Sequence, residues 1–408
     1  MGSEGFFLVV LEHRDKGHGT MAHVIAVDVT GDVYHAWMGV LIFISAKIED
    51  IHIKALSLSR NILFTGNRSS RFMADNILYK LRSGKPIKCL DFLKNFSGLL
   101  IPDSWYRVRL KRKLEAARQR PDYAYMKQRV DYYIRIHEPW KISDEDKLVR
   151  DRSWIHYTGA IGDYRRKMFH TAYYFDQHDV TRWFPPRLRW NFCPGDVYFT
   201  PEVPTVVKSR LLASDNQNSV VLKLDKLRHF MFVYDTKPFR EKKDCAIFRG
   251  KIRQSRLRTG FLEKFFGHPL CDCGVVGRNE GCPEEWMTAK KTIREHLDYK
   301  FIIALEGNDV ASNLKWVMSS NSLAVMTRPT CETWFMEGTL KPDYHYVEVK
   351  EDFSDFEEKL RYYMAHPEKA EEIIRHAHEY VQQFRNKERE ELLQLMVMQR
   401  YFETSGQL

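Results

Sequence analysis

Two stretches of this 408-residue chain gather residue types that suit phosphate-like anions. In the first, the apolar trio Ala246, Ile247 and Phe248 runs straight into Arg249, Gly250 and Lys251, with Arg253, Arg256 and Arg258 close behind. An arginine at the end of a strand can pair two phosphate oxygens at once, although a solvated basic loop has the same composition. In the second, Glu306, Gly307, Asn308 and Asp309 interrupt an apolar run at 301–305, and helical spacing resumes over 310–318 with Lys315 inside it. A turn at a helix N-terminus offers free N–H groups and the positive end of the helix dipole, and Gly307 would admit a phosphate to the backbone beside Val310. A plain tight turn with a solvated Lys315 fits the spacing equally. Carboxylates also stand at strand ends: Asp196 and Glu202 follow short apolar runs, and Asp235 closes a third.

The elements that must hold these residues read as an α/β protein. Residues 298–350 alternate short apolar runs with polar turns in the order strand, helix, strand, loop, strand, with a crossover helix at 310–318 joining two parallel strands. Strands are expected at 188–192, 197–199, 205–207, 220–224 and 230–234. A charged link at 241–244 marks a domain boundary, after which 246–248 opens a new α/β unit with a helix over 261–266. Residues 122–136 form a tyrosine-rich helix, and 159–163 make a turn that faces a phosphate or sugar, or is simply loop. A capping box at Ser354 to Glu357 starts one helix, Pro367 starts the next, and a last one runs through 392–401. His376 and His378 cannot share a helix face and read as surface residues. Residues 1–72 carry no phosphate-binding or catalytic pattern; they are extra strands or an extension, and a helix over 74–81 follows.

Composition narrows the class. At 44% hydrophobic and 13% aromatic residues the chain has material for ordinary cores and is not disordered. Sixty-four Lys and Arg against 54 Asp and Glu leave a net charge of +10, which favours nucleotide phosphates, anionic lipid or nucleic acid. Without a zinc-finger, RNA-recognition or helix-turn-helix signature, nucleic acid is not expected. The segment 90–120 runs from Phe92, Leu99 and Ile101 into Trp105 and Tyr106 and then Arg107, Arg109, Lys111, Arg112 and Lys113, a composition suited to an anionic membrane surface or to a solvated helix. The longest apolar run, 37–46, is about half of the roughly 20 residues a spanning helix needs. Seven irregularly spaced cysteines and no secretory segment point to a reducing cytoplasm. His268, Cys271, Cys273 and Cys282 do not have zinc-knuckle spacing.

The ordered series Ile247 to Gly250, Asp298 to Phe301, Glu306-Gly307 to Lys315 and Leu340 to Lys350 resembles glycosyltransferase family 90. That family includes animal protein O-glucosyltransferases, fungal capsule xylosyltransferases and bacterial lipopolysaccharide-modifying enzymes. The resemblance is good over 203–384 and loose over 107–202. It implies a GT-B fold of two Rossmann-like domains facing across a cleft: 73–240 on the acceptor side and 241–385 holding the nucleotide-sugar, with 1–72 as an extension and 386–408 as a C-terminal helix. It implies inverting transfer from a nucleotide-sugar, expected to be a UDP-sugar, with no metal and no other cofactor. Positive groups then hold the departing diphosphate and a carboxylate takes the acceptor's proton. On that logic Arg249, Gly250, Glu306, Gly307, Asn308, Asp309, Val310 and Lys315 form the donor site, and Asp196 is the base, with Asp235 and Glu202 as alternatives. Asn313 stands where the animal proteins carry an arginine, and they have a secretory signal that is not seen here. The expected acceptor is therefore a saccharide or lipid-linked saccharide such as lipopolysaccharide, at the inner face of the membrane; a protein acceptor and a non-catalytic basic binding protein are the alternatives.

Overall fold

A computed structural model of the chain describes residues 6–13, 21–28, 95, 98–150, 155–167, 172–212, 215–252, 255–277 and 281–408. The chain divides into two units, Met1–Tyr79 and Lys80–Leu408. In the first, β1 (Phe6–His13) and β2 (Met21–Asp28) pair antiparallel in full register from Phe6 with Asp28 to His13 with Met21. The helix expected over 74–81 and the start of the basic segment at 90–94 lie outside the described residues.

In the second unit, α1 (Asp103–Arg118) and α2 (Tyr123–Tyr133) precede β3 (Lys147–Arg150), β4 (Ile155–Ala160), α3 (Ile161–Lys167) and α4 (Ala172–Thr181). Then come β5 (Arg189–Cys193), β6 (Thr205–Val207), β7 (Ser209–Leu211), β8 (Ser219–Val221) and the one-turn α5 (Lys226–His229). Five of these strands make a mixed sheet of order β3-β4-β5-β6-β8. The chain continues through β9 (Lys243–Gly250), α6 (Arg256–Phe265), β10 (Cys271–Val275), α7 (Ile293–His296), β11 (Tyr299–Ile303), α8 (Leu314–Val317) and β12 (Leu323–Met326). It ends with β13 (Cys331–Thr333), β14 (Val347–Glu348), α9 (Phe356–Ala365), α10 (Pro367–Gln382) and α11 (Lys387–Thr404). Here the sheet order is β10-β9-β11-β12-β14, and every pairing is parallel.

The parallel sheet explains why its strands read as continuous apolar runs. Successive side chains on a strand point to opposite faces, and a parallel sheet is covered on both. Phe301 and Ile303 of β11 join one buried cluster with Ala246, Phe248, Leu323 and Val325. Ile302 joins the other with Ile247, Ala324 and Met326. The second cluster also contains Trp190, Phe192 and Val206 of the mixed sheet, so one core is continuous across both sheets. A two-stranded ribbon adds a backbone link, with β7 antiparallel to β13 and Leu211 opposite Cys331.

Several local expectations are corrected. The helix expected over 310–318 is only α8, four residues long, because Val310 and Ala311 are buried in the turn ahead of it and Asn313 Nδ2 donates to the Ile303 carbonyl at 2.9 Å. The 306–310 turn therefore does not sit at a helix N-terminus. Residues 197–199 and 230–234 are irregular rather than strands: the Val197 and Val233 N–H groups donate to the Ser209 and Ser319 hydroxyls, not to a neighbouring strand. No capping box forms at α9, whose N-cap Asp355 accepts from the Lys350 N–H instead, whereas Thr292 and Glu295 make a complete box on α7. His376 is buried against the Tyr344 ring and His378 Nε2 bonds the Ser320 carbonyl, so neither is a free surface residue.

The last helix returns to the first half of the unit, packing on α1, α2 and α4. Its buried Glu390 accepts from Arg129 at 2.6 Å, Trp334 Nε1 at 2.6 Å and Lys223 at 3.1 Å. Burial disfavours the Arg129 charge, but Tyr133 and Glu390 outweigh it and raise the guanidinium's pKa further. Breaking one partner of such a group strands the others. Glu390→Leu is thus expected to lower stability by about 3 kcal/mol in urea unfolding.

Candidate functional site

Strand order in the parallel sheet reverses at β9: the chain moves to β10 on one side and then to β11 on the other. The crevice outside the carboxyl ends of the strands flanking such a switch point is where open α/β sheets bind ligands. Here Gly250 ends β9 and Leu305 lies just past β11, and both line a cleft of about 250 Å³. Asp196, Arg228 and His229 line its other side, from the half of the unit that carries the mixed sheet.

The structure brings seven of the ten expected site residues to this cleft: Asp196, Arg249, Gly250, Gly307, Asn308, Asp309 and Val310. Gly307 is not a left-handed turn residue. A Cβ there would lie 3.0 Å from Arg258 Nη2, so the missing side chain makes room for that guanidinium. Arg258 donates to the Leu305 and Lys251 carbonyls and so ties the end of β9 to the segment after β11 on one wall of the cleft. The Arg249 guanidinium is bound to Asp272 Oδ1 at 2.5 Å and to the Asp272 and Phe248 carbonyls at 2.7 and 2.9 Å.

Three expected residues sit elsewhere. Glu306 accepts from the Thr330 and Cys331 N–H groups and shapes the loop before β13; burial raises its pKa. Lys315 is fully enclosed beneath the turn and paired with Glu337 at 2.5 Å. Asp235 is tied to Lys242 at 2.8 Å and to the Asn321 N–H at 2.9 Å, and lines a different cavity. Glu202 lies outside the cleft lining as well.

What the sequence reading missed is the group that holds Asp196. Lys208, with a side chain only 1% exposed, reaches Asp196 Oδ1 at 2.6 Å and Asp309 Oδ2 at 2.7 Å. Arg228 approaches the same Asp196 oxygen at 3.3 Å, Asn308 Nδ2 reaches Oδ2 at 3.3 Å, and Ser209 donates to Asp309 at 2.8 Å. The available signal was a run of Lys208, Ser209 and Arg210 directly after the apolar 205–207. Burial works against the Asp196 charge, but Lys208 and Arg228 outweigh it and its pKa falls below the ordinary 3.8. For Asp309, burial wins over Lys208 and the pKa rises. Two adjacent carboxylates thus have opposite proton affinities. His229 beside them is held neutral by burial and by the nearby charges of Lys315, Lys208 and Arg228, and its Nδ1 has no hydrogen-bond partner.

A larger cavity, about 690 Å³, takes in Gly162 and Asp163 with Asp103, Arg107 and Arg187; the turn expected at 159–163 is instead the end of β4 running directly into α3. The larger cavity has cations and carboxylates of its own, but the carboxyl ends of two neighbouring parallel strands and a carboxylate of lowered pKa meet at the smaller cleft. Among those residues no group of three or more His, Cys, Asp or Glu side chains is placed to hold a metal ion.

A crevice at a parallel-sheet switch point, lined by Arg228, Lys251, Arg258 and the Asp196 carboxylate, marks an α/β protein with a charged cleft where such sheets bind ligands. The profile of glycosyl transferase family 90 matches residues 223–403. An O-glucosyltransferase LpsA from Dichelobacter nodosus is 39% identical over 308 residues, covering 74% of this chain and 91% of that protein. A protein O-glucosyltransferase 3 from Rattus norvegicus is 29% identical over 139 residues, 33% of this chain and 27% of that protein. An uncharacterized protein 179R of invertebrate iridescent virus 6 is 36% identical over 104 residues, 24% of this chain and 9% of that protein. The chain belongs to glycosyltransferase family 90 and is a glycosyltransferase, as the sequence motifs implied.

Lys208→Met would leave the Asp196 and Asp309 carboxylates facing each other without their shared cation and is expected to cost about 3 kcal/mol of stability in urea. The depressed Asp196 pKa contributes stability above the ordinary 3.8 that disappears as pH falls through its lower folded value. The raised Lys208 pKa contributes stability below the ordinary 10.5 that disappears as pH rises through its higher one. The gap between wild type and variant should accordingly be widest near neutrality.

Proposed function

We propose that this glycosyltransferase moves glucose, with inversion and without a bound metal, from UDP-glucose to a hydroxyl of lipopolysaccharide or a related surface glycan. In this reading the unit 80–408 works as a GT-B enzyme, with the diphosphate at the carboxyl ends of β9 and β11. Both relatives with a stated activity are O-glucosyltransferases, which supports glucose as the sugar and oxygen as the acceptor atom. The observation that carries the reading is Asp196: ionised, 18% exposed, and fixed at the cleft by Lys208, Arg228 and Asn308. Its Oδ1 is taken by two cations, whereas Oδ2 has one long contact and is free to accept a proton.

The reaction then follows from charge. The acceptor hydroxyl gives its proton to Asp196 Oδ2 as its oxygen attacks the anomeric carbon from the face opposite the diphosphate. The bond from that carbon to the diphosphate oxygen breaks, and UDP leaves with the electron pair. Arg228, with a half-exposed side chain, and Lys251 and Arg258 on the facing wall stabilise the charge that builds on UDP. Arg249 and Lys315, whose paired charges are also buried, act by holding β9 and the turn in place. Glu306 does the same for the loop at 330–331.

The acceptor side is supported by α1. Trp105 and Val108 are 46% and 76% exposed, Leu100 and Ile101 just ahead of the helix are exposed too, and Arg109 lies over the Trp105 ring at 3.4 Å. Lys111 and Arg112 continue the same exposed face. An apolar tip followed by basic residues suits the headgroup region of an anionic bilayer, where a lipid-linked saccharide would be presented. No helix among the described residues is long and apolar enough to cross a membrane.

Thermal denaturation with UDP, GDP and CMP tests the donor class: a selective rise in Tm with UDP is expected, and no rise with any nucleotide would favour a basic binding protein on a transferase scaffold. Asp196→Asn should keep the UDP shift and lose transfer by about a hundredfold or more. Retained transfer would remove Asp196 as the base. Trp105→Ser combined with Val108→Ser should abolish sedimentation with vesicles rich in phosphatidylglycerol while leaving the UDP shift intact; unchanged sedimentation would exclude α1 as the membrane contact.

A further inference from the structure

A groove of about 600 Å³ lies between the loop before β14 and the α9–α10 pair, and it shares no lining residue with the cleft at β9 and β11. Two tyrosines on it keep their rings near half exposed, Tyr344 at 42% and Tyr362 at 47%. Each ring is backed. Tyr344 stacks on His376 with centroids 3.7 Å apart and planes 10° from parallel, and Tyr362 meets Tyr363 edge to face at 5.1 Å. The loop presenting Tyr344 is pinned by Asp343, which sits in the left-handed region at φ 49° and whose carboxylate accepts from Lys359 at 2.7 Å and Tyr363 at 3.2 Å. Fixed, half-exposed rings in a concave site lose little entropy when a ligand covers them.

The polar groups of the lining select among ligands. Asp343, Glu358 and Glu372 oppose Lys359 and Lys369, so the groove has no positive excess to draw a phosphate or nucleotide. Carboxylates along its length oppose an acyl chain, since burying them unpaired is costly. Glu358 has no ion pair or hydrogen bond among the described residues, and Lys369 reaches Glu372 only at 3.4 Å. His376, 8% exposed beneath Tyr344, leaves Nδ1 without a partner. Electron-rich ring faces meet the polarised C–H bonds of a pyranose, and flanking carboxylates and ammonium groups match its hydroxyls.

We propose that this groove is a second saccharide-binding site, which holds a neutral stretch of a glycan away from the transfer centre. It builds on a saccharide acceptor for the enzyme but not on the donor or base assignments. Retaining one part of a glycan while another part enters the cleft raises the local concentration of the reacting end.

The test is titration of the full chain with neutral glucose and galactose oligosaccharides, followed by ligand-observed NMR, with the UDP thermal shift measured on the same sample. Binding that saturating UDP does not displace is expected. Tyr344→Ala and Tyr362→Ala should each weaken it about tenfold, while Tyr362→Phe, which keeps the ring, retains it. The UDP shift should stay unchanged in all three variants. Absence of oligosaccharide binding in a sample that still responds to UDP overturns the proposal, as does equal affinity in the two alanine variants. A sample that binds oligosaccharide but not UDP supports the groove and counts against the donor reading alone.

Discussion

One buried ammonium governs how the two halves of the 80–408 unit meet. Lys208 lies just beyond β6, and it is bound at once to Asp196 on its own side and to Asp309 from the turn after β11. An isolated buried charge would be too costly to keep, but a cation between two carboxylates, with Ser209 and Asn308 completing the contacts, is balanced. The same contact sets the chemistry. It lowers the Asp196 pKa, leaves Asp309 the more easily protonated of the pair, and aims one Asp196 oxygen at the cleft.

The rest of the unit is arranged to keep that contact in register. Parallel strands alternate side chains between two buried clusters, so a slip of one residue would send each apolar side chain to the wrong core. Glu390, near the start of α11, gathers Arg129, Lys223 and Trp334, while the ribbon of β7 and β13 adds backbone bonds beside Lys208. Arg258 fits over Gly307 because no side chain is there, and so couples the end of β9 to the turn after β11.

Much of the parallel sheet was legible in the sequence, because a strand covered on both faces must be apolar throughout, as 301–305 is. The mixed sheet was less so. Residues 197–199 and 230–234 have the composition of strands, yet serine hydroxyls rather than a neighbouring strand receive the N–H groups of Val197 and Val233. Helical spacing over 310–318 was equally deceptive, since apolar side chains buried in a turn repeat at similar intervals.

By itself the sequence determined the α/β class, the ordered motifs that place the chain in its glycosyltransferase family, and the strand-end positions of Arg249, Gly250 and Gly307. These are local properties, set by hydrophobic period, turn chemistry and residue order. Only the tertiary structure decided which charges are exposed and which are already paired. Arg249, Lys315, Glu306 and Asp235 look alike as candidate site residues in a linear reading, but three are matched by a group 22 to 24 positions away, Asp272, Glu337 and Thr330, and Asp235 by Lys242 seven positions on. Lys208 was unremarkable in sequence and becomes central because the carboxylate of Asp309 lies 101 positions further on, a separation that no pattern of neighbouring residues encodes.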